Sequence, residues 1–230
     1  MGFSRGPNIV RDGLVLALDA GAVRSYPGSG TTWYDLSGNG NNGTLYNDPT
    51  FDSANGGSLS FDGTNDYTSI SYPVFSSPTQ LTIGGWFRKV SGGSNYETVL
   101  HQSTDTTIGG SAYWFGVALD DTITATIGAR TGVGWSAGQT NIVVDYNKWY
   151  NVFASWNGSS VTVYVNGEFN KSYSLTTYSD PGTVTRIGAS GDASGYLFSG
   201  FVGPTFIYTK ALTSQEVSQN YNAQKSRFGL

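Results

Sequence analysis

The sequence predicts an all-β protein, a two-sheet antiparallel sandwich with one short C-terminal helix, and three observations carry that prediction. Short apolar runs alternate with polar residues along nearly the whole chain and are bounded by Gly, Asn, Asp and Ser. The 230 residues include 32 Gly, 15 Tyr, 12 Phe and 6 Trp, a composition suited to strands joined by many tight turns. One segment alone, near the C-terminus, carries helix-capping signals. The length fits a single sandwich domain, and neither a composition shift nor an internal repeat divides it.

Residues 1–12 contain Gly, Pro and Asn ahead of the first alternating run, so they are expected to form an N-terminal arm to one domain spanning 13–230. Strands are expected over 14–19, 58–62, 67–71, 81–89, 97–102, 112–119 and 122–129, then over 149–156, 161–166, 169–175, 184–188 and 200–208. Asn166–Gly167 is the strongest hairpin signal, because both residues accept the positive φ of a two-residue turn. Asn157–Gly158 and Asp120–Asp121 separate further runs, the latter read as a solvated tip, so successive strands should pair antiparallel. Val161, Val163 and Val165 share one face of their strand, while Thr162 and Tyr164 share the other. Pro204 marks its run as an edge or bulged strand. Thr213 as N-cap, Glu216 completing a capping box, and Leu212 with Val217 as a hydrophobic staple predict a helix over about 214–225.

The formal charge of −4, with Arg88–Lys89 the one basic pair, leaves no cationic stripe for a phosphate backbone, so nucleic acid is not an expected partner. The absence of Cys excludes disulfides, thiolate metal sites and Cys nucleophiles together. No apolar run reaches the roughly 18 residues of a membrane span, and MGFSRGPNIVRDG has no apolar signal region, so no membrane or secretory route is expected. The G-x-G-x-x-G pattern at 38–43 lacks a preceding strand and a following helix and reads as a turn.

The segments LVLALDAG (14–21), WYDLSGNGNNGTL (33–45), SLSFDGTNDY (58–67), LTIGGWFR (81–88), KWYNVFASWNGSSVTVYVNGE (148–168), RIGAS (186–190) and IYTKALTSQEVSQNYNAQKSRFGL (207–230) occur in an order that resembles the laminin G-like, concanavalin A-like lectin/glucanase modules. That resemblance implies a jelly-roll sandwich. The opening stretch 12–45 and the ending NYNAQKSRFGL are similar to a narrower group, virion structural proteins of tailed bacteriophages, including those of cyanobacteria. It implies a non-catalytic virion module, a capsid decoration or tail or fibre component, with a surface glycan as ligand. The alternatives are a purely cementing domain without ligand and a glycan-processing enzyme. The implied partners are other virion proteins, or further copies of the chain meeting through the arm, and a host-surface glycan. The implied location is the virion, after synthesis in the host cytoplasm.

Calcium is the cofactor that the sequence suggests, because Asp62-Gly63-Thr64-Asn65-Asp66 packs two carboxylates and an amide into one turn, with Asp62, Asn65 and Asp66 as candidate ligands. The alternative is a turn whose side chains bond their own backbone. Of the acidic and amide cluster of the pentraxin branch, Asp192 and Asn95 with Glu97 remain. The E-x-D-x-E of the glucanase branch is absent, and Glu97, Glu168 and Glu216 are the only glutamates, so no catalytic carboxylate pair is expected. His101 is the one histidine and has no G-x-S-x-G partner motif. For sugar stacking the loop-adjacent aromatics Tyr113, Trp114, Trp135, Tyr178 and Tyr196 are candidates, while Trp86, Trp149 and Trp156 read as core.

Overall fold

The computed structural model describes residues 8–71, 74, 78–92, 95–103, 111–128, 134–179, 184–191 and 193–230. In chain order the strands are β1 (Leu14–Leu18), β2 (Thr32–Trp33), β3 (Gly43–Tyr46), β4 (Thr50–Asp52), β5 (Ser58–Asp62), β6 (Tyr67–Ile70), β7 (Leu81–Lys89) and β8 (Glu97–Ser103). They continue as β9 (Ser111–Val117), β10 (Thr122–Ile127), β11 (Gln139–Val143), β12 (Trp149–Trp156), β13 (Ser160–Val165), β14 (Glu168–Ser174), β15 (Thr185–Ile187) and β16 (Ser199–Tyr208). One helix, α1 (Ser214–Gln224), follows.

Among the described residues all pairings are antiparallel within two sheets. The first runs β14-β13-β12-β7-β16-β5-β4, with β1 also on β16, and the second runs β11-β10-β9-β8-β15-β6-β3-β2. The turn between β13 and β14 has φ of 51° at Asn166 and 81° at Gly167, as its sequence requires. Pro204 sits in β16, which is central rather than an edge: it pairs β7 on one side, and β5 and then β1 on the other. A register shift between Val202 and Thr205 absorbs the proline.

The sandwich core lies between the sheets and takes alternate residues from each strand. Leu16, Phe87, Val152 and Ile207 come from the first sheet and Tyr113, Phe115 and Ile187 from the second. The outer face of the first sheet is also apolar. Phe153, Phe206 and Tyr208 pack there under Val10, Leu212 and Val217, while Trp86 and Trp149 pack under Phe228. A strand buried on both faces reads as a continuous apolar run, which accounts for the uninterrupted burial of β12.

The helix has the capping box its sequence announces, with Thr213 Oγ1 accepting from Glu216 N–H and the Glu216 carboxylate accepting from Thr213 N–H. Leu212 and Val217 are buried as its staple. The described part of the arm lies on this helix: Val10 N–H donates to Asn220 Oδ1 at 2.8 Å, and Gln219 donates to the Asn8 carbonyl at 2.7 Å. The free edge of β1 is closed by the 34–42 loop. Asp35 accepts from Ala17 N–H, and the Asn41 and Asn39 amides donate to the Val15 and Leu14 carbonyls. Among the described residues no helix is long and apolar enough to cross a membrane.

Candidate ligand-binding cleft

A cleft of about 450 Å³ opens where the end of β5, the β7–β8 loop and the β15–β16 loop meet. Asp62 lies on one wall, Asn95 and Tyr96 on a second, and Tyr196 and Ser199 on the third. The two tyrosine rings meet edge to face, with centroids 5.7 Å apart at 85°. Tyr196 holds a left-handed backbone, φ 50°, and its carbonyl accepts from Thr98 N–H at 2.8 Å, which fixes the tip of that loop to β8. Behind Tyr96 the indole of Trp114 meets it edge-on at 6.2 Å.

A buried ion cluster supports the floor. Glu97 lines the cleft, accepts from Ser199 N–H at 3.1 Å and pairs with Lys89 Nζ at 3.0 Å. Lys89 Nζ also meets Asp121 Oδ1 at 2.5 Å, and Tyr146 Oη donates to Asp121 Oδ2 at 2.6 Å. Burial disfavours the Lys89 charge, but hydrogen bonds to Asp121 and Glu97 outweigh it and push the ammonium pKa up. Burial likewise opposes the Asp121 charge, and the Lys89 and Tyr146 hydrogen bonds outweigh it, so the Asp121 pKa falls. Asp121 is therefore not the solvated tip its sequence suggested: φ of 58° carries it back under the β9–β10 hairpin to a lysine whose side chain is 1% exposed.

The acidic turn is built as follows. Asp62 Oδ1 accepts from the N–H groups of Thr64 and Asn65 at 2.7 and 3.2 Å, and Asp66 Oδ2 accepts from Asp62 N–H at 3.0 Å. Burial would raise the Asp62 pKa, but the Thr64 and Asn65 N–H groups overcome it, leaving an exposed, ionised acceptor at the rim. Asp66 is buried, and burial together with the charges of Asp62 and Asp48 raises its pKa against the Asp62 N–H bond. Asn65 is exposed and its carbonyl accepts from Asn47. Among the described residues no three His, Cys, Asp or Glu side chains converge as a metal site.

Of the aromatic candidates, the cleft includes Tyr196. Tyr113 and Trp114 are corrections: both are fully buried, and neither offers a face to a ligand. They are neighbours on β9, so Tyr113 points into the sandwich, bonding Thr185 at 2.7 Å, and Trp114 points to the other face, donating to Thr98 at 2.9 Å. Tyr178 is half-buried and stacks on Trp156 at 5.6 Å, away from the cleft. Trp135 begins a 3-10 turn, Trp135–Gly138, and its side chain lies outside the described residues, as does Asp192. Sequence reasoning missed Tyr96 and Ser199. An aromatic in the polar loop SGGSNYE (91–97) was the signal for the first, while Ser199 is brought in only by the pairing of β16.

A laminin G family model, described as the Concanavalin A-like lectin/glucanases superfamily, matches residues 62–218. The chain belongs to this superfamily. Solved structures similar to it include Trypanosoma rangeli sialidase in complex with the inhibitor DANA, with TM-score 0.69 and 17% identity over 97% of this chain and 36% of that one. Domain 4 of AbnA, a GH43 extracellular arabinanase from Geobacillus stearothermophilus in complex with arabinotriose, has TM-score 0.67 and 16% identity over 90% of this chain and 98% of that one. The binding domain of botulinum neurotoxin serotype D has TM-score 0.68 and 12% identity over 94% of this chain and 52% of that one. The chain thus spans about a third of the sialidase's length but nearly all of the arabinanase domain. At these identities the likeness is one of fold. No curated protein matches the sequence.

Proposed function

We propose that this concanavalin A-like domain is a non-catalytic glycan-binding module that holds a sugar in the Tyr96–Tyr196 cleft. The observation that carries the reading is the convergence there of two aromatic rings with an ionised carboxylate, Asp62, and the polar side chains of Asn95 and Ser199. Rings supply stacking faces for a pyranose, and carboxylate, amide and hydroxyl groups bind its hydroxyls. Hydrolysis by a carboxylate pair needs one carboxyl held protonated. Here Asp62 is held ionised and Glu97 is tied to Lys89 and Ser199, which supports binding without catalysis.

The test is a glycan array followed by calorimetry on the best hit, comparing the wild type with Tyr196→Asn, which removes the ring but tolerates the left-handed backbone. Affinity should fall by about five- to tenfold, the loss of a stacking contact worth ~1–1.5 kcal/mol. Retention of no glycan by folded protein, or unchanged affinity in the variant, would overturn the reading.

The proposal places the module on a tailed-phage virion, supported by the resemblance of 12–45 and 220–230 to phage structural proteins. Detection of the chain by mass spectrometry in purified particles is the check. Association with other virion proteins or further copies through residues 1–12 belongs to the same proposal. Calcium enters it through Asp62, and calorimetry in calcium and in chelator measures that contribution.

A further inference from the structure

A second cleft, of about 320 Å³, lies on the outer face of the first sheet, beside the arm and the 34–42 loop. Its floor is apolar: Leu14, Ala17 and Phe206 are buried there, and half-buried Ile9 and Leu36 flank them. Four charged residues line it, Arg11, Arg24, Asp19 and Asp35. Both carboxylates are already engaged. Asp19 accepts from the two terminal nitrogens, Nη1 and Nη2, of the Arg227 guanidinium at 2.8 and 3.0 Å. Asp35 accepts from Ala17 and Ser37 N–H on Oδ1, and from the Ser37 hydroxyl and Asn41 N–H on Oδ2.

The two remaining arginines are in the opposite state. Arg11 and Arg24 are exposed, and among the described residues neither side chain has an ion pair or hydrogen bond. A third group is also left over. Gln224 lines the cleft at 7% exposure and accepts from Trp86 Nε1 at 2.8 Å. An indole N–H can only donate, so the amide oxygen must face Trp86, which fixes the orientation of the side chain. The Gln224 NH2 then has no acceptor among the described residues, so it is left to donate to a group in the cleft.

We propose that this cleft binds a small organic carboxylate with an apolar body. The carboxylate pairs with the Arg11 and Arg24 guanidiniums, whose planar donor forks match its two oxygens. Gln224 NH2 donates to a ligand acceptor, and the body lies on Leu14, Ala17 and Phe206. The charges of Asp19 and Asp35 remain in the wall, so a monoanion is favoured over a phosphate dianion.

The experiment titrates 4-phenylbutyrate, its neutral amide 4-phenylbutyramide, and inorganic phosphate into the full chain by nitrogen-15 NMR and calorimetry. Phenylbutyrate should shift the Ala17, Leu36 and Gln224 amide signals. The double variant Arg11→Gln/Arg24→Gln should weaken it by about tenfold or more with Tm unchanged, and the neutral amide should bind about tenfold more weakly. Tyr196→Asn, in the other cleft, should leave it untouched. Absence of shifts at those amides at millimolar phenylbutyrate, equal affinity in the double variant, or phosphate binding as tightly would overturn the proposal.

Discussion

The outer faces of the two sheets bury different chemistry. On the first sheet Trp86, Trp149, Phe153, Phe206 and Tyr208 are roofed by the arm, α1 and the 3-10 turn Lys225–Phe228, with Asn220 clamping Val10 N–H and Tyr208 Oη beneath it. On the second sheet the outward residues are polar or amphipathic, and His101, Trp114 and Thr126 among them are fully buried too. His101 and Thr126 flank Trp114 in register, and Arg186 and Ser69 pair beside Tyr67, which stacks on half-exposed Tyr46 at 4.7 Å. The first face is closed by the hydrophobic effect. At the loop end beside the second sheet, three charged groups, Lys89, Glu97 and Asp121, hold together elements from both sheets. An apolar face must be covered by some other part of the chain, whereas a polar end can be left open, and the candidate glycan cleft is at that end.

Breaking the ion cluster should have the largest effect. Lys89→Met strands Glu97 and Asp121, and urea denaturation should record a loss of about 3–5 kcal/mol. Lys89's folded pKa is raised, so its contribution is complete below the unfolded lysine value of about 10.4 and is lost as pH rises through the folded one. Asp121's folded pKa is lowered, so its contribution is present above the unfolded value of about 3.9 and is lost as pH falls through the folded one. The deficit of the variant should therefore be flat between about pH 5 and 9 and shrink on either side. A deficit under 1 kcal/mol would show that the loop end does not depend on this cluster.

On the covered face, Asn220→Ala removes the partner of Val10 N–H and Tyr208 Oη, and a smaller loss of about 2–3 kcal/mol is expected. Hydrogen exchange at the Val10 amide should accelerate while the β12 amides change only with global stability. An unchanged Val10 rate would mean that the arm is held by packing alone.

The smallest effect is expected at Asp66. Its pKa is raised by burial, so the charged form is penalised in the fold, and stability falls as pH rises from the unfolded value of about 3.9 through the folded one. Asp66→Asn is neutral and can still accept from Asp62 N–H, so at pH 7 it should gain about 0.5 kcal/mol by thermal denaturation in chelator. Wild type exceeding the variant in millimolar calcium would reverse that sign and assign a cation to the turn.

Where apolar runs are bounded by turn residues, the pattern in the sequence and the structure agree. The expected spans 58–62, 81–89 and 149–156 are those of β5, β7 and β12. The short strands β2, β3, β4 and β11 were not legible, because two to five residues in Gly- and Asn-rich stretches carry too little periodicity. They are strands because a neighbour supplies the ladder, as β6 does for β3. Pro204 showed that β16 is irregular, but not that it is central.

The candidate site divides along the same line. Alternation and turn chemistry in the sequence determined the sandwich, the Asn166–Gly167 hairpin and the capped helix, since these rest on interactions a few residues apart. The tertiary structure alone decided that Trp114 is buried while Tyr196 faces the cleft, that Lys89 sits between Glu97 and Asp121, and that Asp62 shares a wall with Ser199. Each of those depends on register and pairing between residues far apart in the chain. A single-residue shift would reverse the facing of a strand's side chains, so identity along the chain cannot say which of two adjacent aromatics meets a ligand.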